Sequence, residues 1–348
     1  MQTSLHADVA VLIGRFQPFH HGHATLLRTA LESGTAVVIV LGSSFHARSA
    51  KNPFTWQERA AMIGATLAPE ERERVSYVPV RDYYEDTRWA DAVRREVARV
   101  AGSASRVALI GYVKDASSYY LHHFPHWQLT SVNAVHDIDA TGIRDVLFEA
   151  EDIDVSLAVI ADRLPPAVRQ YLRAWTLLPH YDGLVQEYRS LKAYRTAWKS
   201  APYAPIFSTV DAVVKTAGHV LLIQRGDFPG KGLWAIPGGF VEQRERLLQG
   251  AIRELLEETE LGTLSSSLAE ALVAVQVFDH PDRSLRGRTI THAHFFDLKT
   301  QQLPAVEGAD DAAHAKWMPI ERLSDMEDQF FEDHFHILNF FLKLTAES

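Results

Sequence analysis

The chain has 348 residues, 47% hydrophobic and 23% charged; this exceeds one ordinary domain, suits two, and excludes a disordered, collagen-like or low-complexity protein. Its 35 Lys and Arg against 44 Asp and Glu leave a formal charge of −9, which argues against broad phosphate-driven nucleic-acid binding but not against a local cationic pocket for small anions. The absence of cysteine removes disulfides, thiolate zinc, iron–sulfur clusters and thiol catalysis.

The first half alternates strand and helix patterns. Asp8–Ile13 is a short apolar strand broken by Gly14, and His23–Glu32 is a helix ended by Ser33-Gly34. A β-branched strand, Ala36–Leu41, precedes a helix over Thr55–Leu67, where Thr55 and Glu58 have capping-box spacing. Strand Val75–Val80, amphipathic helix Thr87–Val100 and strand Arg106–Ile110 continue the alternation. Such βαβ units imply a Rossmann-like α/β domain whose parallel sheet carries its site at the carboxyl ends of the strands. Pro165–Tyr194 is mostly helical, and two prolines in Ser200–Pro205 end that pattern. The expected organisation is a domain over 1–185, a linker over 186–205 and a second domain over 206–348. In the second half, strands Ile206–Val214 and His219–Gln224 precede a glycine-rich loop and a strong helix, Arg244–Glu258. Strands Leu272–Phe278 and Thr289–Leu298 follow. A terminal helix over Asp328–Leu344 places Phe330, Phe331, Phe335, Leu338 and Phe341 on one stripe, read as core packing. No internal repeat relates the halves.

Gly14-Arg15-Phe16-Gln17-Pro18-Phe19-His20-His21-Gly22-His23 lies directly after the first strand and opens a helix. Gly14 permits a sharp turn, and Gly22 permits close backbone approach at a helix N-terminus, where free N–H groups favour anions. His20 and His23 can donate to phosphate oxygens. A metal site and ordinary surface histidines are the competing readings of the same three imidazoles.

The segment GRFQPFHHGH resembles the T/HxGH signature of the nucleotidyltransferase α/β-phosphodiesterase superfamily, in particular archaeal-type nicotinamide mononucleotide adenylyltransferases. The resemblance continues through SAKNPFTWQER, DTRW, GYVKDASSYYLHHFP and TGIRD, five motifs in order across about residues 1–180. In the last of these, Asp139-Ala140 stands where the family has Ser-Ser, while Thr141 and Arg144 keep their places. The resemblance implies adenylyl transfer: the 5′-phosphate of the mononucleotide attacks the α-phosphorus of ATP and pyrophosphate leaves. His20, His23, Arg15 and Arg144 are the expected catalytic set, since the enzyme must align two anions and disperse their charge. Gly14, Phe16, Gly22, Lys51, Lys114, Asp115 and Thr141 are further expected nucleotide contacts, with Mg²⁺ carried mainly by substrate oxygens. Trp89 matches the position where the family stacks an aromatic ring on the nicotinamide; a Trp packed into the core on a helix face is the alternative.

The second constellation is Gly239 to Glu245, seven residues, then Arg253 to Leu261. Glu254, Glu257 and Glu258 stand at i, i+3 and i+4, so a helix gathers them on one face. Crowded carboxylates suit Mg²⁺ or Mn²⁺, with Arg253 orienting Glu257 and the Gly238 carbonyl as an extra ligand. This is similar to the Nudix box, with Glu260 where the pattern has a glycine; Gly262 is expected to end the helix instead. The resemblance implies an α+β Nudix fold, an α/β/α sandwich. Metals there activate water against a diphosphate. The pairing of both motif sets resembles the bifunctional nicotinamide mononucleotide adenylyltransferase/Nudix hydrolases, whose Nudix half is directed at ADP-ribose. Arg283 and Arg286, in RSLRGRTIT, are candidate contacts to its phosphoribose or diphosphate, against the reading of a solvated hairpin. Glu307, Asp310 and Asp311 are candidates for the catalytic base or a further metal ligand. Gly230-Lys231-Gly232 fits a dinucleotide loop only loosely, because no helix follows it.

Two other functions compete with this bifunctional enzyme of NAD biosynthesis. Class I aminoacyl-tRNA synthetases carry a similar H-x-G-H, but the acidic charge and the lack of a KMSKS-like segment oppose them. A Nudix half that acts on another nucleoside diphosphate derivative, or senses a ligand without catalysis, is the other; the intact glutamates oppose a sensor. No run reaches the roughly 18 apolar residues of a membrane span, and the first residues lack the basic start of a signal peptide. A cytoplasmic homo-oligomer acting on small molecules, with neither nucleic acid nor membrane as partner, is therefore expected.

Overall fold

The computed structural model describes residues 7–102, 106–112, 123–132, 138–263 and 265–345. It divides into two compact units, Met1–Val185 and Gln186–Ser348. Lys114 and Asp115 lie outside the described residues.

In the first unit the elements run β1 (Ala7–Gly14), α1 (His21–Ser33), β2 (Gly34–Leu41), α2 (Trp56–Gly64), α3 (Pro69–Arg72), β3 (Val75–Pro79), α4 (Asp86–Ala101), β4 (Val107–Gly111), β5 (Gln128–Ser131), α5 (Ala140–Glu149), α6 (Ile153–Val159) and α7 (Pro166–Trp175), ending in α8 (His180–Ala197). The strands form one parallel sheet in the order β3-β2-β1-β4-β5. The order reverses beside β1, which opens a crevice at the carboxyl ends of β1 and β4. Val9, Val11, Val38, Val40 and Val78 bury one face of the sheet against Ala90, Val93 and Val97 of α4. The expected capping box forms at α2: the Thr55 hydroxyl accepts from the Glu58 N–H (3.3 Å), and Glu58 accepts from the Thr55 N–H (2.9 Å). Strand β5 has no counterpart in the sequence reading, because QLTS is a short polar edge with no apolar run.

Helix α8 continues into the second unit through Ala197, so residues 186–197 are helical and only 198–205 have the irregular chain expected of a linker. Beyond it come β6 (Ile206–Thr216), β7 (His219–Arg225), β8 (Trp234–Ala235), β9 (Gly238–Phe240), α9 (Leu247–Thr259), α10 (Ser265–Glu270), β10 (Leu272–Phe278), β11 (Arg288–Asp297), β12 (Ala312–Pro319), a 3₁₀ segment (Ile320–Gln329) and α11 (His334–Leu342). The mixed sheet has the order β10-β11-β6-β7-β12, with β8 on β7 and β9 on β6; only β11 and β6 run parallel. Alternation along β6 feeds two cores. Ala212 and Val214 pack with Ile252 and Leu255 of α9, and Val213 packs with Phe335 and Leu338 of α11. The result is a helix–sheet–helix sandwich.

Two local expectations are corrected. The terminal helix starts at His334, not Asp328. Glu332 takes a left-handed φ of 44°, and the Asp333 carboxylate is held by Arg283, so Phe330 and Phe331 precede the helix and face different cores. Helix α9 ends at Glu260, not Gly262. Glu260 itself adopts the left-handed cap (φ 46°, ψ 30°), its N–H donating to the Leu256 carbonyl at 3.0 Å.

Candidate active sites

The first site is built where β1 ends. Gly14 closes the strand, Phe16 adopts a left-handed φ of 52°, and His20 sits at the N-cap position of α1. Gln17 pins this loop: its side chain donates to the Phe54 carbonyl (2.8 Å) and accepts from the Phe54 N–H (3.0 Å). Arg144 secures it from the other side, donating to the Gln17 carbonyl (2.7 Å) and to the Thr141 hydroxyl (3.1 Å). Arg15 lies close enough to Arg144 that its charge, after burial, helps lower the Arg144 pKa to about 10. Two cations held close together suit an anionic ligand.

His20 and His23 stack with ring centroids 3.7 Å apart, and Phe16 meets His23 edge-on at 4.8 Å. Burial lowers His20 to about 4 and His23 well below its usual value. Both imidazoles are therefore neutral at pH 7, and each offers one N–H rather than a full positive charge. Among the described residues, neither Nδ1 has a hydrogen-bond partner. Buried unpaired ring nitrogens side by side are what a phosphate acceptor would satisfy. Gly22 follows in the first turn of α1, its carbonyl accepting from the Tyr112 hydroxyl at 2.7 Å. Lys51 is half-buried on the loop between β2 and α2. Trp89 is half-buried on α4, edge-on to Phe124 at 5.9 Å, so both of its readings retain a physical basis.

Three residues here escaped sequence reasoning. Asp139 is the N-cap of α5, accepting from the Gly142 N–H at 2.8 Å, so the residue that departs from the family pattern orients the helix carrying Thr141 and Arg144. Arg59 is 1% exposed and donates to the carbonyls of Arg15 and Gly42 (2.6 Å each) and to the Ser44 hydroxyl (3.0 Å). It ties two strand-end loops together from α2. Asp82, just beyond β3, accepts from the Ser43 N–H at 3.2 Å and lies 3.4 Å from the His46 ring. Although Asp82 is exposed, its neighbours His46, Ser43 and Arg15 hold its carboxyl down at about 2. Its place at a strand's carboxyl end was the available signal.

The second site lies between β9 and α9. Arg253 is its organiser: it makes a two-pronged pair with Glu245 (2.8 and 3.0 Å) and reaches Glu254 and Glu257 with one nitrogen (2.9 Å each). Glu258, 2% exposed, accepts from the Gly238 N–H at 2.8 Å. Burial and the neighbouring Asp311 push the Glu258 carboxyl up to about 10, and burial raises Glu254 as well. All three acidic loop candidates are exposed, and of them Asp311 stands beside Glu258. Gly238 and Gly239 are glycines of necessity: a Cβ would fall 2.2 Å from the Val210 carbonyl at one and 2.5 Å from a Glu254 oxygen at the other.

Buried carboxylates with raised pKa values are an all-oxygen donor set that suits a hard divalent cation. Among the described residues, however, no three His, Asp or Glu side chains converge on one point, because Arg253 holds Glu254 and Glu257.

The candidate phosphate arginines divide. Arg283 is buried and committed, donating to both oxygens of Asp333 (2.8 and 2.9 Å) and to the Thr289 hydroxyl (3.0 Å). The 50-residue separation of that pair hides it from a sequence reading. Arg286 lies over the rings of Phe240 (5.1 Å) and Phe331 (5.9 Å) and pairs loosely with Glu332 (3.9 Å), while its Nε has no hydrogen-bond partner among the described residues.

The cytidylyltransferase-like family model matches residues 11–209, and the NUDIX domain model matches residues 206–341. A nicotinamide/nicotinic acid mononucleotide adenylyltransferase of Acinetobacter baylyi is 36% identical over 184 residues, 53% of this chain and 94% of the relative. An ADP-ribose pyrophosphatase of Methanocaldococcus jannaschii is 33% identical over 143 residues, 41% of this chain and 76% of the relative. A solved bifunctional NMN adenylyltransferase/ADP ribose pyrophosphatase from Francisella tularensis, complexed with AMP and a manganese ion, superposes with a TM-score of 0.87 at 35% identity, covering 97% of this chain and 99% of that one.

Proposed function

Because this chain belongs to the cytidylyltransferase-like family through its first half and to the NUDIX family through its second, we propose that it is a bifunctional enzyme of NAD metabolism. The first unit transfers the adenylyl group of ATP to nicotinamide mononucleotide, giving NAD and pyrophosphate. The second hydrolyses ADP-ribose to AMP and ribose 5-phosphate. The observation that carries this reading is the likeness to the Francisella bifunctional enzyme over 97% of the chain.

In adenylyl transfer the substrate phosphate is the nucleophile, so the protein's work is alignment and charge dispersal. Arg15 and Arg144 supply fixed positive charge, while neutral His20 and His23 donate N–H groups to phosphate oxygens. Lys51, Lys114, Asp115 and Thr141 complete the nucleotide contacts in this reading, and Trp89 stacks on the nicotinamide. In the hydrolase, Glu254, Glu257, Glu258 and the Gly238 carbonyl would hold Mg²⁺ or Mn²⁺, which would supply water activation and charge neutralisation at the diphosphate. Arg253 sets the carboxylate positions, and Asp311, beside Glu258, is the candidate catalytic base.

Among the described residues no helix is long and apolar enough to cross a membrane. Small-molecule partners, a cytoplasmic setting and a homo-oligomer belong to this reading, with the domains bounded at 185 and 206. The test is product analysis of the purified protein, first with ATP, nicotinamide mononucleotide and Mg²⁺, then with ADP-ribose and Mg²⁺. Formation of NAD in the first and of AMP with ribose 5-phosphate in the second is expected; absence of either product removes that half of the proposal.

A further inference from the structure

In the first unit, the turn that carries Lys51 has no core of its own. Every residue from His46 to Asn52 is only half-buried, and burial begins at Pro53 and Phe54. Hydrogen bonds hold the turn instead. The Ser49 N–H donates to the Asn52 carbonyl (3.3 Å) and the Asn52 N–H to the Ser49 hydroxyl (3.1 Å), which closes a tight turn around Ala50 and Lys51. Both arms of that turn are then fastened. The arm that leaves it is tied through Phe54 to Gln17 of the signature loop. The arm that enters it is tied through Arg48, which donates to the Pro53 carbonyl (2.7 Å) and to both oxygens of Glu58, the longer prong at 2.9 Å.

Glu58 is a fixed partner. Its carboxylate also accepts from the Thr55 N–H (2.9 Å) and from the indole N–H of Trp175 on α7 (3.2 Å). Burial pushes its carboxyl up, but Arg48 and the Thr55 N–H outweigh that and hold it below the usual value, so it is ionised at pH 7. The Arg48 and Glu58 side chains are 27% and 15% exposed, and a two-pronged pair partly out of water sets angle as well as distance. Arg59, the next residue of α2, holds the carbonyls of Arg15 and Gly42. One helix start therefore orders the Lys51 turn through Glu58 and the signature loop through Arg59. An ammonium on a flexible four-carbon stem serves a phosphate best when its backbone is held still.

We infer that Arg48 is a positioning residue for adenylyl transfer: by clipping the turn over residues 48–53 to Glu58 at the start of α2, it holds Lys51 beside the signature loop that gathers the phosphates. This assignment rests on the adenylyl-transfer reading of the first unit and on Lys51 as one of its nucleotide contacts. Arg48 acts through Lys51.

The test uses the full-length protein with ATP, nicotinamide mononucleotide and Mg²⁺. Arg48→Ala should lower kcat/KM for ATP by about 10- to 100-fold, the scale for misplacing a group by about 1 Å. Lys51→Ala should lower it by a similar factor. On the Lys51→Ala background, adding Arg48→Ala should cost less than about threefold, because the group that Arg48 places is gone. Arg48→Lys, which keeps the charge but cannot fork, should stay within about threefold of Arg48→Ala. Glu58→Gln, which keeps a carbonyl for the Thr55 N–H and loses the ion pair, approaches the clip from its other side and should show the same defect. Backbone hydrogen exchange needs no substrate: it should quicken over residues 46–52 in Arg48→Ala and stay at wild-type rates over 56–64. Unchanged exchange over 46–52, losses that multiply in the double variant, or full activity in Arg48→Lys overturns the proposal. Lys51→Ala at wild-type rates removes Lys51 from the site and the proposal with it. Quickened exchange in a protein that makes no NAD sustains the clip and overturns the adenylyl-transfer reading.

Discussion

Replacing Glu258 by Gln should remove ADP-ribose hydrolysis while sparing the fold and adenylyl transfer. Glu258 is 2% exposed, accepts from the Gly238 N–H and has Asp311 as its acidic neighbour. With its carboxyl pushed up to about 10, the metal-free side chain is protonated at pH 7. Glutamine copies that state: its carbonyl can accept from Gly238 and its amide can donate to Asp311. Stability should therefore shift by less than about 1 kcal/mol, against about 2–4 kcal/mol for Glu258→Ala, which leaves a hole and an unpaired N–H. Ion binding is different. Emptying Glu258 of its proton at pH 7 takes about 4 kcal/mol, three units at about 1.4 kcal/mol each, which the cation must supply. Metal binding should release about one proton, and apparent affinity should climb by about tenfold per pH unit from 7 towards 10. Glutamine has no proton to release and no charge to give, so hydrolysis should fall by about 10²–10³. The assays are thermal melting, both enzymatic reactions, and Mg²⁺ titration in two buffers of different ionisation enthalpy. A variant that melts far below wild type, cleaves ADP-ribose within tenfold of it, or a wild type that binds Mg²⁺ without releasing a proton refutes the reasoning.

His23→Ala should cut adenylyl-transfer turnover by about 10²–10³, the usual loss for one charge-stabilising donor, with ADP-ribose hydrolysis as the control for folding; near-normal synthesis would sink the assignment. Trp89→Ala should raise the mononucleotide KM more than it lowers kcat, and an unchanged KM returns Trp89 to core packing. Glu260→Gly should stabilise the second unit by about 1 kcal/mol, because glycine adopts the left-handed cap without Cβ strain; a lower melting temperature contradicts this. His20, with a folded pKa of about 4 against 6.5, favours the folded state fully above pH 6.5 and loses that contribution as pH falls to 4. The loss amounts to about 3 kcal/mol. Melting curves of wild type and His20→Gln should therefore converge or cross on acidification between those values, and parallel curves would exclude the linkage.

What the sequence determined by itself is what neighbours within a few residues dictate. The β-branched runs of β1 and β2, the Thr55–Glu58 box and the gathering of Glu254, Glu257 and Glu258 on one face all follow from periods of 2 and 3.6. The two motif sets likewise carry their chemistry in local spacing. The tertiary structure decided which of several equivalent groups meet. Arg283 and Arg286 look alike in sequence, yet one is buried in hydrogen bonds to Asp333 and the other lies over Phe240 in a looser pair with Glu332. Asp311, rather than Glu307 or Asp310, is the acidic neighbour that helps raise the Glu258 carboxyl. Arg59 reads as a plain helix residue until the carbonyls of Arg15 and Gly42 close around it. Strand β5, with only QLTS to declare it, exists because β4 offers an edge to pair with. A charge can satisfy many partners at similar spacing, and only folding fixes which lies within 3 Å and out of water, where Coulomb and hydrogen-bond energies become large enough to select.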